Sequence, residues 1–524
     1  MSIDTALAWI VAFLLVTVAV TACARRIGWS APIALLAIGV SVSYLPGVPR
    51  VDVEPDFVLS VLLPPLLFAA ALQTSLADVR ARREPLVLLS VGLVAFTTAI
   101  VGFATWAIVP TLTLAAAFAF GAVVAPTDAV AVTAVTRRAP LPRVLGSILD
   151  GESLLNDATA LVALNTAVLA IVSTFDPARA IGAFILAVTG GIGVGLIVSF
   201  VMGAVRRRVQ MPVLDTSLSL VTPYVAFLLA HGIGASGPLA VVVAGLFLGY
   251  RSPVLQSAEA RLAESLNWRT IQFLLENAVF LLIGLSLPTI LEGAMRSGIP
   301  FWKAVLIVVV VLFVVIASRL TWSLGVTAVY RWGPPQMRRR SWQWRLNLPL
   351  TVAGVRGVVT LAAVFLLPEQ TPDREFLQFL AFVVVVGTLL VGLLLPWVIR
   401  LVALPSPDFA QERMETQLLL AEARAASLRL VDSVAVDEYD GRVRERVRVD
   451  AAFLGETLVG DDAERARRTS SYAELRIRAL VAERQVVLRA RHEGRYTEAT
   501  VRTVLTVLDI EEAAVLATRS DGGR

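Results

Sequence analysis

The chain is poor in the residues that soluble enzymes use for much of their chemistry. Its 524 residues include one cysteine, Cys23, and two histidines. A single cysteine excludes an intrachain disulfide and any cysteine cluster for a metal. Lys303 is the only lysine among 46 basic residues, so arginine carries nearly all the positive charge. Charged residues amount to only 17%, against 57% hydrophobic. Between Ala6 and Leu404 the charges fall mostly in short loops separating apolar runs. Those runs have about 20 residues, the length that crosses ~30 Å of hydrocarbon. Beyond Pro405 charges become frequent and long apolar runs stop. The chain therefore reads as an all-α polytopic membrane domain over 1–404, followed by a helical cytoplasmic tail over 405–524. No basic stretch precedes the first apolar run, 6–23, where Asp4 stands instead. That run reads as a retained span and not as a cleaved signal peptide.

The hydropathy pattern predicts thirteen spans, near residues 6–23, 31–46, 56–74, 86–109, 112–136, 145–173, 179–204, 214–233, 237–250, 269–288, 301–330, 346–367 and 376–403. The short run 237–250 and the Pro-bearing run 56–74 leave twelve as the alternative. Arginines collect in alternate loops, at Arg25–Arg26, Arg80–Arg83, Arg137–Arg143, Arg206–Arg208, Arg251–Arg261 and Arg331–Arg345. The opposite loops carry Asp52, Glu54, Asp176, Glu292, Glu369 and Asp373. Arginine-rich loops face the cytoplasm, which places the N-terminus outside and the tail inside. The same asymmetry accounts for the net charge of +5 without nucleic acid as a partner. Tail helices are expected over 411–430, 463–491 and 496–518, with a regulatory or dimer-contacting role or none.

Several polar residues lie where a membrane segment should have none. Asp128 sits in one apolar span, and Glu152, Asn156 and Asp157 sit in the next. An ionisable group at that depth costs several kcal/mol unless it is compensated, and marks an ion pathway by default. In Ala125-Pro126-Thr127-Asp128, Pro126 has no N–H, so the carbonyl of Ala122 is expected to lose its helical donor. A span interrupted there exposes carbonyls beside Asp128, the arrangement with which transporters hold cations at mid-membrane. In Gly151-Glu152-Ser153-Leu154-Leu155-Asn156-Asp157, Ser153 and Asp157 are four apart and share a helix face. Glu152 is rotated by about 100° from Ser153 and should point at a different neighbour. Counted from the same membrane edge at ~1.5 Å per residue, Asp128 and Asp157 lie roughly 13 and 18 Å deep, near the middle of the hydrocarbon.

Counter-charges are available. Arg319 follows the apolar run 304–317, Arg356 sits in Ala353-Gly354-Val355-Arg356-Gly357, and Glu276 lies within the tenth span. At least one buried ion pair is expected, Glu152 with Arg319, with Arg356 as the alternative partner. Arg319 could instead snorkel to the membrane edge. A structural ion-pairing role is assigned to Glu152, Arg319, Arg356 and Glu276. His231, the only histidine before the tail, reads as a hydrogen-bonded residue at the end of a span.

At these residues the chain resembles a known family. The segments Leu63-Pro64-Pro65-Leu66-Leu67-Phe68, Ala125-Pro126-Thr127-Asp128-Ala129-Val130, Gly151 to Ala158, Ser236 to Leu246 and Gly354-Val355-Arg356-Gly357 resemble the bacterial sodium/proton exchangers of the monovalent cation:proton antiporter-1 family. The resemblance implies an inverted-repeat antiporter fold with two crossing interrupted helices, a homodimerisation panel and a mobile core. It implies that Asp128 and Asp157 bind a monovalent cation with Ser153 and the Thr127 carbonyl, and that Asn156 holds the crossing together. It further implies one-for-one, electroneutral exchange of sodium or lithium for protons across a bacterial plasma membrane, with no cofactor. The chain departs from the pattern at Ala69, where many members carry an acid; Gln73 is a partial substitute. Cation choice and pH response are what this departure unsettles, and a potassium/proton exchanger is the runner-up. An intramembrane aspartyl protease would need Gly-x-Gly-Asp, which neither Asp128 nor Asp157 has.

Overall fold

The computed structural model describes residues 3–404 apart from 47, 49–56, 75, 77–78, 80–82, 129–130, 133–142, 173–176, 210 and 333–343. Beyond 404 it describes only isolated positions between 429 and 515, so the expected tail helices lie almost wholly outside the described residues. The chain separates into two compact units, Met1–Pro407 and Asp408–Arg524.

Every regular element among the described residues is helical. In chain order these are α1 (Ile3–Ile27), α2 (Ala31–Ser43), α3 (Leu63–Gln73), α4 (Arg83–Val87), α5 (Leu93–Ile108), α6 (Leu114–Val124), α7 (Arg143–Val172) and α8 (Pro177–Arg206). They continue as α9 (Pro212–Gly232), α10 (Gly237–Leu255), α11 (Ala258–Arg296), α12 (Phe301–Trp332), α13 (Asn347–Val352), α14 (Val358–Val364), α15 (Arg374–Gly392) and α16 (Leu395–Leu401). A π-helical turn, Val58–Leu62, leads into α3, and another, Leu88–Gly92, joins α4 to α5. Among the described residues, nine helices are long and apolar enough to cross a membrane. The remainder are shorter or broken.

The helix starts follow from local chemistry. Proline stands in the first turn of α2, α3, α9 and α10, where a missing N–H costs nothing. Thr113, Ser236 and Ser257 cap α6, α10 and α11 by accepting backbone N–H groups at 3.2–3.3 Å. Small residues then set the closest approaches, as expected where lipid gives helices no hydrophobic drive to associate. A Cβ on Gly39 of α2 would meet the Leu281 carbonyl of α11 at 2.6 Å.

Several spans differ from the hydropathy expectation. The run 112–136 breaks after Val124 and is helical again at residues 131–132, and 346–367 divides into α13 and α14 around residues 353–357. Residues 143–172, by contrast, form the single unbroken helix that the hydropathy predicts. The run 269–288 is the middle of a 39-residue helix, α11. Its first half carries Glu259, Arg261, Glu264 and Arg269, which lower the local hydropathy; the fold buries Glu264 against an arginine. One apolar cluster surrounds α6 with residues of α12, α14 and α15. Another joins α3, α9 and α10 with Trp268 of α11. The polar residues of interest lie at the breaks in α6 and α13/α14.

Candidate functional site: the crossing of two broken helices

The break after α6 begins at Pro126. The Ala122 carbonyl loses its i+4 donor, since Pro126 has no N–H, and the Ala125 N–H folds back onto it at 3.4 Å in a tight last turn. The carbonyl that needs an outside donor is that of Val124, and Arg356 supplies it, donating from Nε at 2.9 Å. On the far side of the break, Asp128 caps the resumed helix, its Oδ1 accepting the Ala131 N–H at 3.1 Å.

The second break matches the first. Arg319 donates from Nε to the Leu350 carbonyl near the end of α13 at 2.6 Å. Arg356, within the break, also donates to the Gly354 carbonyl. Its own N–H is accepted by Thr388 Oγ1 of α15 at 3.0 Å. The two breaks touch where the Asp128 N–H donates to the Val355 carbonyl at 2.8 Å. A Cβ on Gly357 would land on the Asp128 carboxylate, so only glycine leaves room for that side chain. Both intramembrane arginines thus sit at C-terminal, carbonyl-bearing helix ends and Asp128 sits at an N-terminal one. Each charge matches the helix dipole it meets.

α7 brings four polar residues to this crossing and sorts them by period. Glu152 and Asn156, four apart, turn to the sealed side and are 0% and 1% exposed. Arg319 grips Glu152 with two bonds, Nη1 to Oε1 at 2.5 Å and Nη2 to Oε2 at 3.0 Å. Arg319 is itself 2% exposed, so it does not snorkel. The Thr127 hydroxyl donates to Glu152 at 2.9 Å and accepts from Asn156 Nδ2 at 2.9 Å. Asn156 Nδ2 also lies 3.4 Å from the Thr127 carbonyl. Asn156 Oδ1 is buried with no hydrogen-bond partner among the described residues.

Ser153 and Asp157, the next i, i+4 pair, are only half-buried, and so is Asp128. Asp157 lies within electrostatic reach of Asp128. It forms no ion pair among the described residues.

Glu276 departs from its expected ion-pairing role. It makes no ion pair among the described residues; Gln272 Nε2 donates to its Oε1 at 2.7 Å. Gln73 Nε2 in turn donates to Gln272 Oε1 at 2.6 Å and to the Ala69 carbonyl at 3.2 Å. Arg356 pairs with carbonyls and not with Glu152. His231 is exposed and stacks on Phe227, with ring centroids 5.8 Å apart.

One polar cluster escaped the sequence reading. Arg206, counted there as a loop charge, is buried and donates to Asp215 at 2.8 and 2.9 Å and to Glu264 at 2.8 Å. Ser219 donates to Glu264 and accepts from Trp268 Nε1 at 2.9 Å. The one local signal was Asp215 and Ser219, four apart on one face of α9. No local pattern assigns them an arginine from α8 or an acid from α11.

Comparison with known proteins agrees with this geometry. Residues 10–401 match the family model described as sodium/hydrogen exchanger, transmembrane. An uncharacterised Na(+)/H(+) exchanger of Mycobacterium tuberculosis is 31% identical over 529 residues, covering 97% of this chain and 96% of the relative. A sodium, potassium, lithium and rubidium/H(+) antiporter of Bacillus subtilis is 30% identical over 381 residues, covering 69% of this chain and 56% of the relative. Among solved structures, the sodium proton antiporter MjNhaP1 of Methanocaldococcus jannaschii shares the fold, with a TM-score of 0.59 at 18% identity over 77% of this chain and 98% of that one.

Proposed function

The chain belongs to the sodium/hydrogen exchanger family, a family of secondary antiporters, and from that premise we propose that it exchanges sodium, or lithium, for protons one for one across a bacterial plasma membrane. Homeostasis of pH and sodium is the role this serves. The observation that carries the reading is the sorting of acids on α7. Glu152 is sealed and matched by Arg319, whereas Asp157 is half-buried, lies within electrostatic reach of Asp128 and has no ion-pair partner among the described residues.

Asp157 and Asp128 are read as the carboxylates that take either the cation or the proton. Desolvation favours a protonated carboxyl and a nearby cation favours the ionised one, so occupancy by one ion opposes the other. Competition at one site, coupled to movement of the crossing helices, is sufficient for antiport. Ser153 and the Thr127 carbonyl supply further oxygens. Asn156 Oδ1, the orphaned buried acceptor, adds another oxygen that favours a cation close by. Asn156 Nδ2 and the Glu152–Arg319 pair hold the frame.

The arginine-rich loops support an N-terminus outside and a tail in the cytoplasm, and a homodimer belongs to the same reading. The second reading, potassium/proton exchange at the same site, is favoured by the breadth of cations in the name of the Bacillus relative. Everted vesicles carrying a proton-gradient dye test both. Dequenching is expected on adding sodium or lithium chloride, more weakly with potassium, and not with Asp157→Asn. Exchange preserved in Asp157→Asn would sink the assignment; potassium outcompeting sodium would select the second reading.

A further inference from the structure

Glu276 is an intramembrane acid that neither the frame nor the Asp128–Asp157 pair accounts for. It lies at the middle of α11, which packs against both α3 and α14. α14 starts next to Gly357, where the Asp128 carboxylate rests. The Asp128 charge reaches Glu276, yet the acids do not converge into a metal-binding group of three among the described residues. Glu276 is therefore a neighbour of the crossing and not a third ligand in it.

Behind it runs a directed polar ladder. Gln73 is exposed, while Gln272 and Glu276 are half-buried. Gln73 donates to Gln272, and Gln272 donates to Glu276. Amide side chains offer oxygens to a cation without binding it permanently, and a carboxylate without an arginine attracts one. The ladder runs from an exposed glutamine on α3 to an acid on α11, the helix that packs against α14.

We propose that Glu276, with Gln272 and Gln73 leading to it, is a capture site at which the cation pauses before reaching Asp128 and Asp157, and that its charge sets the apparent affinity for the cation. This inference rests on the exchange reading above.

The test uses the full-length protein, in everted vesicles and purified in detergent, with sodium chloride as probe. Wild type must first release protons on sodium addition; if it does not, the exchange reading fails and not this inference alone. Given that response, Glu276→Gln keeps the hydrogen-bonding capacity and removes the charge. It is expected to raise half-saturating sodium about 5- to 20-fold, the effect of one unit charge several ångströms away at an intermediate dielectric. The maximal rate should stay near wild type, and Glu276→Asp should stay near wild type in both. An unchanged half-saturating concentration would overturn the proposal. So would an unchanged sodium value with a displaced pH profile, which would make Glu276 a proton relay. Should Glu276→Gln fail to fold, Gln272→Glu adds a charge one turn further out. It should lower half-saturating sodium, and no change there would equally overturn the proposal.

Discussion

Glu152 and Asp157 stand on the same helix, and their surroundings are opposites. Glu152 is enclosed, accepts two bonds from Arg319 and one from Thr127, and leaves no net charge. Asp157 is half-buried, lies within electrostatic reach of another acid and forms no ion pair among the described residues. The difference teaches how one membrane helix serves two purposes. A matched, sealed pair is costly to open and holds its place. An unmatched acid in a half-open position has its charge available for whatever cation arrives. The i, i+4 period keeps the two apart, because Glu152 and Asn156 lie on one line of the helix and Ser153 and Asp157 on the next.

Variants can break this comparison. Arg319→Ala should have the largest effect, since it strands Glu152 in a sealed site and frees the Leu350 carbonyl. A loss of about 3–5 kcal/mol is expected for half of a buried pair, read as a collapse in folded yield and in thermal stability in detergent. Asp157→Asn comes next. It should abolish sodium-driven proton release while thermal stability is kept or raised, because no ion pair among the described residues is lost. If its melting temperature falls as far as that of Arg319→Ala, the distinction between the two faces is wrong.

Gly357→Ala tests the boundary between them. Its Cβ would displace the Asp128 carboxylate, so a steric cost of about 1–3 kcal/mol is expected, together with weaker sodium dependence of exchange. The smallest effect is expected of Glu264→Gln. Arg206 is shared by two acids, Asp215 and Glu264, so removing one still leaves it paired. A change of about 1 kcal/mol or less, the worth of a typical hydrogen bond, should appear in thermal melting. A loss as large as that of Arg319→Ala would show that the excess acid is needed.

Much of the site was legible in the sequence because its signals are local. Pro126 marks the first break, and mid-span acids stand out against hydrocarbon whatever the fold. The need of Glu152 for a counter-charge follows from its depth. The assignment of arginines was less legible. Arg319 and Arg356 each lie in an apolar span, and only the crossing shows that both answer to carbonyls at broken helix ends. Arg206 was hidden because a loop arginine and a buried one look alike in sequence. The length of α11 was hidden because its charges, Glu264 among them, are satisfied by distant partners that hydropathy cannot see. Glu276 was given an ion-pairing role on the same ground that succeeded for Glu152, and three-dimensional placement separated the two.

One backbone bond, Asp128 N–H to the Val355 carbonyl, fastens the two interrupted segments to each other. Arg356, rooted in one segment and bonded to Val124 of the other, adds a second rivet. Two strips riveted at their waists cannot slide independently, so any displacement of one carries the other, and Asp128, along with it. On the exchange reading proposed above, an ion held there is tied to both segments at once, and closing it off from either side falls to helices outside this pair.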